Sequence, residues 1–325
     1  MGRGEYSHEA HRASTRQRAA LSKEEVFKQT KCHDDMNPFG LIARESRDSE
    51  NHPDSVSIIM ALDQTGSMGG IPDRLARETF PDFMKFVQKV LADPQLMFMA
   101  VGDAGNHELA PLQVGQFESE GQLMDHWLTS MYLEGNGGGN GRESYELPLF
   151  IAARHVVMDC WEKRRRKGYM FITGDEKAYE AVSPRVIRTL VGTQIETITI
   201  QQLVAEVLER WHLFFLIPDP DRYNYAGCGQ FWRSLIGDCT ITMGAPEDTS
   251  VVSATLVGLT EGEFADLDTV SAKLHEMGYD GRDAFRVIRA VEPYAASIGF
   301  GGDRRGAERA EPPSGKGKGR NRLRN

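Results

Sequence analysis

The sequence contains no long hydrophobic run. Its longest apolar stretch, residues 212–218, has the length of a strand, whereas a helix that spans a bilayer needs about 20 apolar residues. The first twenty residues are polar and charged, and they lack the apolar segment of a secretory signal. We therefore expect a protein without a membrane span that is located in the cytoplasm.

Cysteine is scarce, and the four cysteines are far apart in the sequence, with no Cys-x-x-Cys pair. This spacing disfavours a zinc site or a disulfide framework and favours reduced thiols. The Gly-x-Ser-x-Gly pattern of a nucleophile elbow is also missing. The sequence therefore gives no support to an α/β-hydrolase with a serine nucleophile.

Positive charge is concentrated at one end of the chain. The whole sequence has a net charge of −9, but residues 301–325 contain eight Lys and Arg against three acidic residues. The acidic remainder argues against a nucleic-acid-binding core. We expect the basic tail to be disordered and solvated, although it could also touch RNA, an acidic partner or an anionic surface.

Apolar runs of strand length alternate with segments of helical periodicity from residue 54 onwards. The predicted strands cover 55–63, 96–103, 169–176, 195–200 and 212–219, with a weaker candidate inside 111–119. Such alternation predicts an α/β fold, namely a Rossmann-like, doubly wound, mainly parallel sheet with helices on both faces.

The predicted helices cover 120–134, 147–161 and 201–211, together with several segments after 229. Apolar residues also recur at helical spacing between 75 and 91, where Pro81 should break or kink the helix. We divide the chain into a polar N-terminal extension (1–53), the α/β domain (54–245), a helical C-terminal region (246–300) and the basic tail (301–325). Within the extension, Ser22 and Glu25 have the spacing of a capping box.

Three oxygen-bearing side chains alternate directly after the first predicted strand, at Asp63, Thr65 and Ser67. In a loop that curls over the end of a strand, this spacing can turn all three towards one point. One carboxylate and two hydroxyls suit a small hard cation such as Mg²⁺. Asp175 follows another apolar strand, and loops at the carboxyl ends of parallel strands can meet at one edge of the sheet.

The stretch "ALDQTGSM" (61–68) resembles the first motif of the metal-ion-dependent adhesion site of von Willebrand factor A (VWA) domains, Asp-x-Ser/Thr-x-Ser. The resemblance covers about residues 54–245. It implies a VWA fold, a hydroxyl ligand from a second loop and an aspartate from a third. Ser144 is our candidate in the second loop, with Glu143 as the alternative, and Ser144 could instead cap the following helix. Asp175 is the candidate in the third loop, with Glu176 as the alternative.

The resemblance implies a divalent-cation-dependent protein-binding module that acts as an intracellular adaptor or scaffold. Mg²⁺, or Mn²⁺ or Ca²⁺, would be the cofactor, and an acidic residue of the protein partner would complete its coordination. Relatives of this type often work beside AAA+ ATPases, so such an ATPase is a candidate partner. The sequence favours a binding module over an enzyme.

A second resemblance points to an enzyme. The letters "DQTGS" are also similar to the phosphorylation motif of haloacid-dehalogenase-type phosphotransferases, which would make Asp63 a nucleophile towards phosphate, with Mg²⁺ held by Asp63 and Asp175. Soluble phosphatases of that type usually have a second aspartate where Thr65 stands. The stretch around Asp103, His107 and Glu108 is similar to part of a calcineurin-type phosphoesterase motif. We interpret these three residues as polar residues of a loop and not as a catalytic site.

Overall fold

The computed structural model describes residues 5–66, 68, 70–106, 108–135, 140–218 and 227–300. The basic tail, Ser67 and His107 lie outside the described residues. The strands are β1 (Arg44–Ser46), β2 (Ser55–Asp63), β3 (Asp93–Val101), β4 (Leu112–Val114), β5 (Val156–Met158), β6 (Gly168–Thr173), β7 (Ala181–Val182), β8 (Ile198–Thr199), β9 (Trp211–Ile217) and β10 (Thr240–Thr242).

Six of these strands form the main sheet in the order β10-β9-β6-β2-β3-β4. All neighbouring pairs are parallel except β3 and β4, which are antiparallel. β2 lies near the centre, with Ile58 opposite Leu96 of β3 and Tyr169 of β6. All nine residues of β2 are buried, because both faces of a parallel sheet are covered and its central strands are apolar throughout.

Helices cover both faces of this sheet. They are α1 (His8–Ala19), α2 (Lys23–Val26), α3 (Gly70–Arg74), α4 (Phe80–Val90), α5 (Gly121–Thr129), α6 (Glu146–Arg154), α7 (Asp159–Arg164), α8 (Pro184–Leu190), α9 (Ile200–Arg210), α10 (Cys228–Ile236), α11 (Thr249–Glu261), α12 (Leu267–Glu276) and α13 (Gly281–Ser297). Side chains of α4, α11 and α13 share one core with Ile58 and Met60. Side chains of α6, α9 and α10 share the other core with Ile59 and Ala61. The predicted Rossmann-like α/β fold is confirmed.

Three secondary-structure predictions were wrong. The helix predicted over 147–161 is interrupted, because its middle forms β5 and pairs with β1, a partner that the local periodicity cannot reveal. The strand predicted at 195–200 shortens to β8, which pairs with β7 outside the main sheet. The region after 229, predicted to be helical, contains the strand β10, which lies at the edge of the main sheet beside β9.

The N-terminal segment contains a helix that the polar sequence did not predict. α1 buries only His11 and Thr15, and His11 Nε2 lies 3.0 Å from Asp125 Oδ1 of α5. The predicted capping box of Ser22 and Glu25 is confirmed at the start of α2. The division of the chain at residues 53 and 245 stays a prediction.

The predicted interruption near Pro81 is confirmed. A π-helical turn, Leu75–Thr79, separates α3 from α4, and Pro81 lies in the first turn of α4, where a missing backbone N–H costs no helical hydrogen bond. Among the helices that the structure describes, none combines the length and apolarity needed to cross a lipid bilayer.

Candidate metal centre

The strand order places the candidate residues at the point where the chain changes direction across the sheet. Counted along the chain, the main-sheet strands lie in the order third, second, first, fourth, fifth, sixth. In such sheets the loops after the first and fourth strands diverge and leave a crevice that holds ligands. Here those strands are β2, which ends at Asp63, and β6, which ends two residues before Asp175.

Asp63 and Thr65 are in direct contact at this edge. The backbone N–H of Thr65 donates to Asp63 Oδ1 at 2.8 Å, and the Thr65 hydroxyl donates to the same oxygen at 2.6 Å. Gly66 comes next, and a Cβ there would lie 2.9 Å from the backbone oxygen of Gly135. A side chain at position 66 would therefore push this turn away from the start of the glycine-rich loop.

Tyr145 connects the first and third loops. Its hydroxyl donates to Asp63 Oδ2 at 2.6 Å and accepts from the backbone N–H of Asp175 at 3.2 Å. The ring packs against Phe215 and Trp232, with centroids 5.2 and 5.9 Å away. Both predicted aspartate positions thus lie within one hydrogen bond of the same oxygen atom.

The Tyr145 hydroxyl occupies space that only glycine leaves open. A Cβ at Gly174 would lie 2.2 Å from the Tyr145 oxygen and 2.4 Å from its ring carbon Cζ. The third loop therefore has Gly174 before Asp175 so that the phenol can reach the aspartate. The sequence analysis missed Tyr145, because an aromatic residue at the start of an apolar helix is indistinguishable from an ordinary core residue.

Ser144 faces the loop after β3. Its hydroxyl accepts from the backbone N–H of Ala104 at 3.0 Å and lies 3.5 Å from Asp103 Oδ1. Asp103 is fully buried, and its Oδ1 also accepts from the Tyr179 hydroxyl at 2.9 Å. Ser144 is not the cap of α6, because Tyr145 occupies that position and no side-chain cap bond forms. The capping alternative for Ser144 is therefore wrong.

The two alternative acidic residues are both buried and incompletely hydrogen bonded. Glu143 is 1% exposed and Glu176 is 4% exposed, and neither Oε2 atom has a hydrogen-bond partner within the part of the chain that the structure describes. Burial and then the charge of Asp63 raise the pKa of Glu143 to about 11. Burial and then the charge of Asp175 raise the pKa of Glu176 to about 7.

The pKa of Asp63 is also shifted, to about 7. Burial is the main cause and the charge of Asp175 adds to it, whereas the hydrogen bonds from Thr65 and Tyr145 oppose it. Within the described ranges, no Lys, Arg or His side chain forms an ion pair with Asp63, Glu143 or Glu176. Buried carboxyl groups in this situation hold protons or gain a cation.

The available donors fit a hard cation. They are carboxylate and hydroxyl oxygens, the ligands that Mg²⁺, Mn²⁺ and Ca²⁺ prefer. Among the described residues, no three His, Cys, Asp or Glu side chains are grouped closely enough to hold a metal ion by themselves. The predicted set has only two carboxylates, Asp63 and Asp175, so hydroxyl ligands and the partner would have to complete it.

Comparisons with known proteins show distant structural similarities. No protein-family model matches the sequence, and a search of curated proteins gives no significant match. The chain is similar to the pilus adhesin SpaC of Lactobacillus rhamnosus GG in its open conformation, with 11% identity and a TM-score of 0.43 over 67% of this chain and 31% of the adhesin.

Two further solved structures are similar at the same level. One is proximal thread matrix protein 1 of the mussel byssus (11% identity, TM-score 0.40, 69% of this chain and 51% of that one). The other is an aerotolerance-related membrane protein of Bacteroides fragilis (12% identity, TM-score 0.39, 64% of this chain and 100% of that one). The chain thus spans less than two thirds of the length of the adhesin and of the thread protein.

Proposed function

We propose that the chain is a VWA-type module that binds a protein partner through a divalent cation at the crevice between β2 and β6. Asp63, Thr65 and Asp175 would hold the ion, with Ser67 and Ser144 as further ligands implied by the resemblance. The ion would be Mg²⁺, or Mn²⁺ or Ca²⁺. An acidic side chain of the partner would complete the coordination sphere.

The contact of one phenol with both aspartate loops is the observation that supports this proposal most strongly. Asp63 and Asp175 are more than a hundred residues apart in the sequence, and two separate motifs predicted them. The Tyr145 hydroxyl bonds to the side chain of the first and to the backbone of the second. Coordination of one ion requires loops at this proximity, because Mg²⁺ binds its oxygen ligands at about 2.0–2.1 Å.

The electrostatics of the crevice support a cationic ligand. Glu143 and Glu176 each have a buried oxygen without a hydrogen-bond partner among the described residues. Burial raises the pKa values of both groups, and the charge of Asp63 adds to the shift of Glu143 and that of Asp175 to the shift of Glu176. A bound divalent ion reverses this repulsion and favours the ionised carboxylates. Glu143 is therefore an alternative ligand to Ser144, and Glu176 is an alternative ligand to Asp175.

The cellular role follows from the same resemblance. We propose an adaptor or scaffold in a multi-component assembly in the cytoplasm, with an AAA+ ATPase as a candidate partner. The basic tail adds a positively charged segment that an acidic partner surface could contact. Nucleic-acid binding would be limited to this tail.

The phosphotransferase alternative requires Asp63 to attack phosphorus. The Asp63 side chain is fully buried, and both of its oxygens accept hydrogen bonds, one from Tyr145 and the other from Thr65. Hydrogen-bond donors stabilise a carboxylate and lower its nucleophilicity. This arrangement disfavours the phosphotransferase.

The two functions are separated by affinity capture combined with an activity assay. Immobilised protein is exposed to cell extract with Mg²⁺ or with EDTA, in wild-type form, as Asp63→Ala and as the control Asp268→Ala, which changes an exposed aspartate of α12. We expect partner proteins that are retained with Mg²⁺ by the wild type and the control only. Retention that is equal in EDTA would contradict the proposal. Hydrolysis of p-nitrophenyl phosphate that Asp63→Ala abolishes would favour the phosphotransferase.

A further inference from the structure

A groove of about 450 Å³ lies beside the candidate metal centre, between α8 and the loop that follows β3. Its lining includes Ala104, Glu108, Pro111, Arg185, Val186 and Leu190. We call it the α8 groove. The residues that α8 contributes include positions 185, 186, 189 and 190, which lie on one face of a helix.

The floor of the α8 groove continues into exposed apolar surface. A neighbouring hollow contains Phe39 and Leu109 and shares Pro111 and Leu190 with the groove. Leu109 is 76% exposed and Phe39 is 65% exposed. Single exposed apolar residues are common, but a contiguous group of them in a concave surface is typical of a protein-binding site.

Glu108 connects the groove with the acidic crevice. It lines the groove, and its Oε2 would lie 1.8 Å from a Cβ at Gly102, directly before Asp103. Neither of its carboxylate oxygens has a hydrogen-bond partner within the described ranges, although the Gln64 side chain and the Asp103 backbone lie near it. Ala104 also lines the groove, and its backbone N–H donates to the hydroxyl of the candidate ligand Ser144 at 3.0 Å. The groove therefore lies directly beside one candidate ligand of the metal centre.

Arg185 gives the far side of the groove a positive charge. It is exposed and forms no ion pair with any residue that the structure describes. Arg188 is also exposed and unpaired within the same ranges, but it does not line the groove. Glu108 is only 9% exposed, whereas Arg185 is exposed, so Arg185 is the charged group that the groove presents to an occupant. With a cation in the crevice, the apolar floor would lie between two positive positions, and this charge pattern favours an occupant with negative charge at both ends.

We propose that the α8 groove binds a short extended segment of a partner protein in which a large apolar residue lies between two acidic residues. One acidic residue reaches the cation, the apolar residue packs against Leu109 and Leu190, and the other acidic residue pairs with Arg185. This inference rests on the proposed function, since the first acidic residue needs the cation.

A peptide-display selection tests the segment directly. Random peptides are selected on the full chain with Mg²⁺, and the enriched peptides are then measured by fluorescence polarisation against variants. Leu109→Asp and Arg185→Glu change exposed groove residues. Phe285→Asp, at a side chain of α13 that is 62% exposed, and Arg188→Glu are the matched controls. We expect acidic–apolar–acidic peptides whose binding weakens about tenfold or more in the two groove variants and is unchanged in the controls.

The outcomes separate the groove from the metal centre. Peptides that need Mg²⁺ and Asp63, show no apolar preference and bind the groove variants normally would overturn the groove proposal and leave the proposed function intact. Peptides that bind equally well in EDTA and to Asp63→Ala would contradict the proposed function and overturn the groove proposal with it. A selection that enriches no peptide would also overturn the groove proposal.

Discussion

The hydroxyl of Tyr145 is the most informative single group to remove. Tyr145→Phe keeps the ring and its packing against Phe215 and Trp232. It deletes the donor to Asp63 Oδ2 and the acceptor of the Asp175 backbone N–H. Every one of these groups is buried, so water cannot replace the lost partner.

The expected loss of stability follows from these two bonds. A hydrogen bond to a charged group contributes about 1.5–3 kcal/mol, and a neutral one contributes about 1 kcal/mol. Thr65 still donates to Asp63 through two groups, so the carboxylate is not left without partners. We expect Tyr145→Phe to lower the free energy of unfolding by about 2–3 kcal/mol without Mg²⁺. Saturating Mg²⁺ should reduce this loss, because a bound ion stabilises the Asp63 carboxylate in place of the phenol.

Urea unfolding followed by circular dichroism measures this difference. Tyr132→Phe is the control, because the Tyr132 hydroxyl has no hydrogen bond to a described residue. It should change the free energy of unfolding by less than about 0.5 kcal/mol. A loss in Tyr145→Phe no larger than that of the control would refute the bridging role of the phenol. Equal losses with and without Mg²⁺ would refute the exchange of phenol for cation.

Three further perturbations test buried polar groups elsewhere in the fold. Burial lowers the pKa of His212 to about 4. The neutral imidazole therefore stabilises the folded chain fully above its unfolded pKa of about 6.5, and this stabilisation is lost as the pH falls towards 4. His212→Phe should remove up to about 3 kcal/mol of the pH dependence of the free energy of unfolding, and a urea-unfolding profile between pH 4 and 7 that matches the wild type would contradict this expectation. Asp125→Ala removes the carboxylate that lies 3.0 Å from Nε2 of buried His11 and 2.7 Å from the Arg18 guanidinium, and it leaves His11 with the Tyr6 hydroxyl. We expect a loss of about 2–4 kcal/mol and faster hydrogen exchange in α1; exchange at the wild-type rate would show that Asp125 does not hold α1 against α5. Arg286→Met removes two hydrogen bonds of 2.9 Å to buried Asp248. We expect the free energy of unfolding, measured by thermal unfolding, to fall by about 2–4 kcal/mol. A near-zero change would show that the pair does not stabilise the fold.

The sequence predicted the elements whose signal is local. β2, β3, β6 and β9 are continuous apolar runs, and their burial on both faces follows directly from that pattern. β10 has only three residues and was missed, because its strand conformation depends on the neighbouring β9. α1 was missed because it buries so few side chains that its sequence has the composition of a loop.

The candidate site also contains features with a local sequence signal and features that depend on the folded chain. The location of Asp63 and Asp175 at one edge of the sheet could be predicted, because each follows a recognisable strand and a parallel sheet brings such strand ends together. Tyr145 could not be predicted, since its role depends on the space above Gly174, and that space exists only in the folded chain. Ser144 was assigned from its place in a motif, and its hydroxyl is bonded to the Asp103 loop; its role as a ligand stays a prediction.

Calorimetric titration of Mg²⁺ into the full chain tests the central claim most directly. The wild type and Asp268→Ala should bind one ion with saturable heat, Mn²⁺ should compete for the same site, and Asp63→Ala should lose the heat. A titration without saturable heat in the wild type, or one that Asp63→Ala leaves unchanged, would contradict the claim that the loops after β2 and β6 bind a divalent cation.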